Sequence, residues 1–95
     1  MSEENSYNYP IDTEHWNTEE IINVVHFYQL VEKMYEQGVE KEDFLSAYRR
    51  FKQIIPSKSE EKALDKQFAQ QSGYSIYKAV QEAKNSSAQA IVSLK

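Results

Sequence analysis

Apolar residues recur every three or four positions in four segments of this chain, which is the spacing of an amphipathic α-helix. The first segment begins near Thr18, and the second spans about residues 41–55. The third spans about residues 58–71, and the fourth begins at Ile76. Stretches that alternate polar and apolar residues are too short to form a sheet. The pattern therefore predicts an all-α fold, a small array of four helices.

Short signals between the segments predict where the helices end. Pro56 ends the second helix, because its ring excludes the preceding residue from helical dihedrals. Ser57 and Glu60 have the Ser-x-x-Glu spacing of a capping box, which opens the third helix. Gly73 ends that helix through a positive φ, and Ser75 is placed to cap the fourth.

The first helix carries the widest apolar surface. Asn17 and Glu20 form a second capping box, Trp16 can pack on Ile21, and Gly38 ends the helix. At 100° per residue, one arc of about 180° holds the apolar side chains. They are Ile21, Val24, Val25, Phe27, Tyr28, Val31, Met34 and Tyr35. We expect two elements to cover this arc, and a second copy of the chain is an open alternative.

Glu32 lies inside the apolar arc of the first helix in projection. A buried carboxylate needs a partner, and an arginine at position 49 or 50 can supply a bidentate bond. The alternative is that Glu32 reaches solvent at the edge of the arc.

The two ends of the chain lack a helical pattern of their own. Tyr7, Tyr9 and Ile11 alternate around Pro10, which predicts an extended N-terminal arm across the helices; a frayed tail is the alternative. We expect a flexible segment at residues 1–6.

A single helical domain is expected at residues 7–84. Residues 85–95 form either a tail or a continuation of the fourth helix. The continuation is suggested by a 4-3-4-3-4 spacing. The positions with this spacing are Ile76, Val80, Ala83, Ser87, Ala90 and Leu94.

Composition excludes several classes of protein. A chain of 95 residues suits one domain, and its 13% aromatic content supplies the apolar surface that disordered chains lack. No cysteine is present, so disulfides and zinc-thiolate sites are excluded. The sequence shows neither a signal peptide nor a membrane span, and we expect a soluble cytoplasmic protein.

Charge is distributed unevenly along the chain. Residues 1–43 hold eleven acidic side chains against two lysines, a net charge of -9. Residues 44–95 hold nine basic side chains against four acidic ones, a net charge of +5. The favoured interpretation is that the two halves fold together and neutralise each other locally; the alternative leaves the basic half exposed to a polyanion.

Catalytic motifs are lacking in this sequence. His15 and His26 have no metal-binding spacing, and we expect both to be solvated. Asp12, Glu14 and His15 have no calcium-loop geometry, so we expect no metal. No serine lies in a nucleophile turn, and no glycine-rich phosphate loop exists. We therefore expect no enzyme activity, no catalytic residue and no cofactor.

Basic and tyrosine side chains form the best candidate for a binding surface. Lys58, Lys62 and Lys66 are spaced by four, so they form one ridge along the third helix. Glu61 and Asp65 share that helix and are able to neutralise the ridge. We hypothesise that tyrosines beside the ridge rim a groove between the third and fourth helices. The candidate partner-binding residues are Arg49, Lys52, Lys58, Lys62, Tyr74, Tyr77 and Lys78.

Several blocks of residues also form a recognisable pattern. They include Tyr9-Pro10-Ile11, Trp16-Asn17-Thr18-Glu19-Glu20, Pro56-Ser57-Lys58 with Glu60-Glu61-Lys62, and Ser72-Gly73-Tyr74-Ser75 with Tyr77-Lys78. With these blocks the chain resembles uncharacterised protein family 0223, small cytoplasmic proteins of low-GC Gram-positive bacteria, over about residues 7–84. The resemblance implies a compact all-helical fold and no particular activity.

We expect a non-enzymatic protein-interaction or adaptor module with an unidentified protein partner. The alternative function is weak nucleic-acid binding through the basic half. An acidic overall charge, with a sequence pI of about 5.1, argues against nucleic acid, because nucleic-acid-binding domains usually have a pI above about 9.

Overall fold

Four helices and a two-stranded ribbon make up the computed structural model, which describes residues 9–86 and 91–94. In chain order the elements are α1 (Thr18–Glu36), β1 (Val39–Glu40), α2 (Lys41–Ile54), α3 (Lys58–Ser72), α4 (Ile76–Asn85) and β2 (Ile91–Val92). The prediction of an all-α fold with four helices is confirmed. No helix among the described residues is long and apolar enough to cross a membrane.

The helix starts follow the capping signals of the sequence. At the start of α1, the Glu20 N–H donates to Asn17 Oδ1 at 2.8 Å, and the Asn17 N–H donates to Glu20 Oε1 at 3.0 Å. This reciprocal pair is the predicted capping box. At the start of α3, the Glu60 N–H donates to Ser57 Oγ at 3.3 Å, which is the first half of the second box. The Ser57 hydroxyl also shares a 3.0 Å hydrogen bond with the Ser59 hydroxyl.

The two glycines end helices as expected, and each has a positive φ. Gly73 follows α3 with φ 80°, and its N–H donates to the Ala69 carbonyl at 2.8 Å. Gly38 lies between α1 and β1 with φ 118°. A Cβ at Gly38 would lie 3.2 Å from the side chain of Ile91, so backbone and packing both favour glycine there.

Aromatic rings form the centre of the core. Phe27 of α1 lies 4.6 Å from Phe51 of α2 and 5.4 Å from Phe44, measured between ring centroids. Tyr28 stacks on Phe68 of α3 at 5.0 Å. All five rings are fully buried. These rings therefore join α1, α2 and α3 in one hydrophobic core.

The wide apolar arc of α1 is covered within one chain. α1 packs against both α2 and α4, which confirms the expectation that two elements cover it. Val24, Val31 and Met34 have no exposed surface. A second copy of the chain is therefore not needed to complete this arc.

The N-terminal arm lies across α1 and α3 at its described residues. Tyr28 Oη donates a 2.9 Å hydrogen bond to the Pro10 carbonyl, and Pro10 is buried. The ring of Tyr9 lies 5.5 Å from Tyr28 and 6.3 Å from Phe68. The predicted arm is thus confirmed at these residues, whereas Ile11 is exposed rather than packed beside Tyr9. Residues 1–6 and Tyr7 lie outside the described residues.

The C-terminal segment differs from the predicted continuation of the fourth helix. α4 ends at Asn85, and β2 pairs antiparallel with β1, with Val39 opposite Val92. Val92 is fully buried, and the Leu94 N–H donates to the Met34 carbonyl at 2.9 Å. The carbonyls in the last turn of α1 have no partner within that helix, and this extended segment supplies an N–H to one of them. The helical continuation is therefore wrong at residues 91–94; Ser87 and Ala90 lie outside the described residues.

Candidate functional site

A cavity of about 270 Å³ opens between α2, α3 and α4. We name it the α3–α4 groove after the two helices that supply most of its lining. The lining residues are Tyr48 from α2, then Lys58, Glu61, Lys62 and Asp65 from α3, and Ile76, Tyr77, Val80, Gln81 and Lys84 from α4. Ile76 and Val80 are buried, whereas Tyr77 is 65% exposed. The groove therefore combines aliphatic side chains with an accessible aromatic ring.

Asp65 is committed to the start of α4. Its Oδ1 accepts the Ile76 N–H at 2.8 Å, and its Oδ2 accepts the Tyr77 N–H at 3.3 Å. The first N–H groups of a helix have no partner within that helix, and a carboxylate there is also favoured by the helix dipole. The charge of Asp65 is thus used to hold α4 against α3.

Glu61 is committed to α2. Lys52 Nζ lies 2.6 Å from Glu61 Oε1, and Tyr48 Oη donates to Glu61 Oε2 at 3.1 Å. Burial, together with the charge of Glu61 and this hydrogen bond, raises the pKa of Tyr48 to about 12. Tyr48 therefore remains a protonated donor at neutral pH. The ion pair with Glu61 also means that the charge of Lys52, one of the candidate partner-binding residues, is paired within the fold.

Three lysines of the groove remain available. Lys58 and Lys62 are exposed, and neither makes an ion pair with the part of the chain that the structure describes. Lys84 Nζ lies 5.6 Å from the ring centroid of Tyr48, a cation–π contact that leaves its charge in place. Among the described residues, neither Glu61 nor Asp65 makes the ion pair with a lysine of this ridge that helical spacing allows, because Glu61 is bonded to α2 and Asp65 to α4.

The candidate partner-binding residues divide into two groups. Lys58, Lys62 and Tyr77 line the groove. The other four, Arg49, Lys52, Tyr74 and Lys78, are not among its lining residues, and of these Arg49 and Lys78 are exposed. The sequence analysis missed Tyr48, Gln81 and Lys84 as groove residues. Gln81 and Lys84 could have been found from the sequence, because they follow Tyr77 at spacings of four and three residues and so share its helix face.

Tyr74 lies against α1 rather than in the groove. Its ring stacks on Tyr35 at 4.4 Å with an interplanar angle of 8°. Its hydroxyl donates to Glu36 Oε2 at 2.9 Å. The hypothesis that Tyr74 rims the groove is therefore corrected. The turn after Gly73 carries Tyr74 to α1, and α4 then carries Tyr77 to the other side.

Glu32 has a different partner from the arginine that the sequence suggested. Tyr9 Oη donates to Glu32 Oε1 at 2.8 Å. Burial raises the pKa of Glu32; the Tyr9 hydrogen bond opposes that shift, and the negative charge of Glu36 adds to it. The N-terminal arm thus supplies the partner that we expected from α2.

The lysine–carboxylate ion pair and the histidine–carboxylate contact among the described residues each lie within one half of the chain. Lys52 and Glu61 both belong to the basic half, and the 2.8 Å contact of His15 with Asp12 lies in the acidic half. No ion pair joins a residue of 9–43 to a residue of 44–86 or 91–94. The ion pairs of the described residues therefore do not join the two halves, and the favoured interpretation of local neutralisation stays a prediction.

Asp12 and His15 form a turn before α1. Asp12 Oδ1 accepts the N–H groups of Glu14 and His15 at 3.1 and 3.0 Å. Within residues 9–86 and 91–94, no three side chains of His, Cys, Asp or Glu are grouped to hold a metal ion. His26 is exposed on α1.

The fold and the groove define a small all-α protein with a surface groove lined by basic, acidic and apolar side chains. The sequence model of the Uncharacterised protein family (UPF0223) matches residues 6–92. The chain belongs to this family. The match extends beyond the resemblance seen in the sequence and includes β2.

Relatives in several bacteria are similar over most of their length. A UPF0223 protein of Oceanobacillus iheyensis is 60% identical over 79 residues, which cover 83% of this chain and 89% of the relative. A UPF0223 protein of Bacillus mycoides is 50% identical over 93% of this chain and 98% of its own. One from Staphylococcus aureus is 49% identical over 94% and 97%. Their names give no substrate, partner or reaction.

Proposed function

We propose that this protein is a non-enzymatic interaction module that binds an acidic protein segment in the α3–α4 groove. The observation that carries the proposal is the separation of charges around the groove. Glu61 and Asp65 are used by α2 and α4, whereas Lys58 and Lys62 have no ion-pair partner among the described residues. A site with unpaired cations favours carboxylates of a partner and disfavours other lysines.

The size of the groove supports a polypeptide rather than a small molecule. Its volume of about 270 Å³ falls below the range of about 300 to 1,000 Å³ that is usual for small-molecule sites. Such a space suits one or two side chains of a bound segment. Tyr77 adds a ring with a polar tip, a side chain enriched at protein interfaces. We propose in addition that the protein is located in the cytoplasm, as expected from its sequence.

The apolar lining favours a protein over a nucleic acid. Lys58, Lys62 and Tyr77 together resemble a surface on which bases stack beside phosphates. However, the chain has a net charge of -4, and Glu61 and Asp65 line the same groove. Those charges repel a continuous phosphate backbone more than they repel a segment with a few carboxylates. The experiment must therefore distinguish binding of an acidic peptide from binding of a nucleic acid.

The test is fluorescence anisotropy with three labelled probes and the full chain. The first probe is a synthetic helical peptide with one leucine flanked by glutamates one turn away on either side. The second replaces those glutamates with lysines, and the third is a single-stranded oligonucleotide. We expect the acidic peptide to bind and Lys62→Glu to weaken it about tenfold, which corresponds to about 1.4 kcal/mol.

Lys66→Glu is the matched control, because Lys66 is an exposed lysine of α3 outside the groove lining. We expect this variant to bind the acidic peptide like the wild type. The proposal is wrong if the basic peptide binds equally well or if the two variants weaken binding equally. Oligonucleotide binding that weakens steeply with salt and depends on Lys62 would instead support the nucleic-acid alternative.

A further inference from the structure

We infer that the α3–α4 groove can bind a second copy of this chain through the first turns of α1. The inference rests on the proposed function, since it names the acidic segment that the groove would bind. The segment is centred on Ile22 and Glu19 of α1. Both are exposed, and Glu19 precedes Ile22 by three residues on the same helix face.

Ile22 is the first observation that supports this partner. It is 61% exposed, although the opposite side of α1 is buried in the core. Its aliphatic side chain matches the apolar lining that Ile76, Val80 and Tyr77 supply to the groove. An aliphatic side chain entering such a groove is the usual anchor of helix-in-groove recognition.

Charge complementarity is the second observation. Residues 9–43 hold nine acidic side chains and only two lysines, and the groove belongs to the basic half. No ion pair joins these halves within the described part of one chain. Glu19 of one copy and Lys58 or Lys62 of another can therefore form the contacts that one copy does not make. Complementary surfaces of this kind favour association and fix its orientation.

The contact is small, and this limits its strength. One aliphatic anchor with a few exposed charge pairs belongs to the small, transient class of interfaces, which bury less than about 1,200 Å² in total. We therefore expect self-association with a Kd between about 1 µM and about 1 mM. It should weaken with salt, because the screening length falls from about 10 Å at 0.1 M to about 3 Å at 1 M.

Sedimentation equilibrium of the full chain over a range of concentrations tests the inference. We expect the average mass to rise above the monomer value of 11.1 kDa as the concentration increases. Lys62→Glu and Glu19→Lys should each weaken self-association about tenfold. An equimolar mixture of these two variants should associate more strongly than either alone, because the glutamate introduced in the first can pair with the lysine introduced in the second.

Two charge reversals outside the proposed contact are the controls. Lys66→Glu and Glu42→Lys each reverse an exposed charge, on α3 and α2 respectively, and both should associate like the wild type. Circular dichroism of every variant checks that the fold is retained. The inference is overturned if the mass stays at the monomer value, or if mixing the two variants restores nothing.

Failure of this inference is distinguishable from failure of the proposed function. A chain that stays monomeric but binds the acidic peptide through Lys62 retains the proposed function and loses only the second copy as partner. A chain that binds neither the peptide nor itself loses both. Restored association in the mixture of the two variants would support both the inference and the proposed function, since it requires that position 62 of one copy lie against position 19 of another.

Discussion

Tyr28 and Tyr77 show how differently one residue type is used in two regions of this protein. Tyr28 is fully buried in the aromatic core, and its hydroxyl donates to the Pro10 carbonyl. Tyr77 is 65% exposed at the α3–α4 groove. The core uses both the ring and the hydroxyl of its tyrosine within the fold, and the groove leaves its tyrosine ring accessible.

The polar groups of the two regions differ in the same way. In the core, the buried hydroxyl and carbonyl satisfy each other, because an unpaired buried polar group costs about 1 to 3 kcal/mol. At the groove, the carboxylates of Glu61 and Asp65 are paired, while Lys58 and Lys62 make no ion pair with a described residue. Exposed lysines cost little to leave unpaired, since water solvates them. The polar groups of the core are therefore paired within the fold, whereas two lysines at the groove have no ion-pair partner among the described residues.

Removing an aromatic ring should have the largest difference in effect on the free energy of unfolding between the core and the groove. Phe27→Ala should lower the free energy of unfolding by about 3 to 5 kcal/mol, because it leaves a cavity among Phe44 and Phe51. Tyr77→Ala should change it by less than about 0.5 kcal/mol, because most of that ring is already in water. Urea denaturation of both variants measures the difference. Similar losses in the two variants would contradict the distinction between core and groove.

Removing the hydroxyl of Tyr28 from the core should have a smaller effect on the free energy of unfolding. Tyr28→Phe keeps the ring but leaves the Pro10 carbonyl without its 2.9 Å hydrogen bond. We expect a loss of about 1 to 2 kcal/mol in the free energy of unfolding. Tyr77→Phe is the matched control and should be close to neutral. Hydrogen exchange or limited proteolysis near Pro10 should report the release of the arm; equal protection in both proteins would argue against the Tyr28 contact.

Asp65 links the groove to the stability of the fold. Asp65→Ala removes the acceptor of the Ile76 and Tyr77 N–H groups and should cost about 1 kcal/mol, the usual cost of losing a helix cap. Asp65→Asn retains one acceptor oxygen and should cost less. Thermal unfolding of the two variants tests this order. An alanine variant as stable as the wild type would show that α4 does not depend on this carboxylate.

The smallest expected effect is the pH dependence due to Glu32. Because the pKa of Glu32 is raised above its ordinary value of 4.5 by burial, the folded state retains the proton to a higher pH than the unfolded state does. Its stabilising contribution is complete below pH 4.5 and is lost as pH rises through the folded pKa.

Thermal unfolding of the wild type and Glu32→Gln between about pH 4 and about pH 7 measures this contribution. The wild type should lose stability relative to the variant as the pH rises across this window. A difference between the two proteins that does not change with pH would show that Glu32 titrates as it does in the unfolded chain. Tyr9→Phe, which removes the hydrogen bond to the carboxylate, should raise the pKa of Glu32 further and extend the loss to higher pH.

Much of the fold was predictable because its signals are local. The starts of α1, α3 and α4 depend on side chains that bond to backbone groups three residues away, as Asn17, Ser57 and Ser75 do. The ends near Gly38 and Gly73 depend on a backbone conformation that glycine adopts most easily. The apolar arc of α1 likewise follows from helical periodicity, and the structure buries it as expected.

The candidate site was only partly predictable. Lys58, Lys62 and Tyr77 line a groove between α3 and α4, as helical spacing indicated, and their role in binding a partner stays a prediction. Tyr74 was misplaced, because three residues of turn decide whether a ring faces α1 or α4. The contribution of Tyr48 from α2 was missed, because it depends on how α2 packs against the other two helices.

The sequence by itself determined the four helices, the ends of α1, α2 and α3, and the side of each helix that is buried. These features depend on interactions within a few residues, which the order of the amino acids specifies directly. Only the tertiary structure decided which helix receives Glu61 and Asp65, which tyrosine supports the arm, and where residues 91–92 pair. Those contacts join residues far apart in the chain, and their partners are selected by the packing of the whole core.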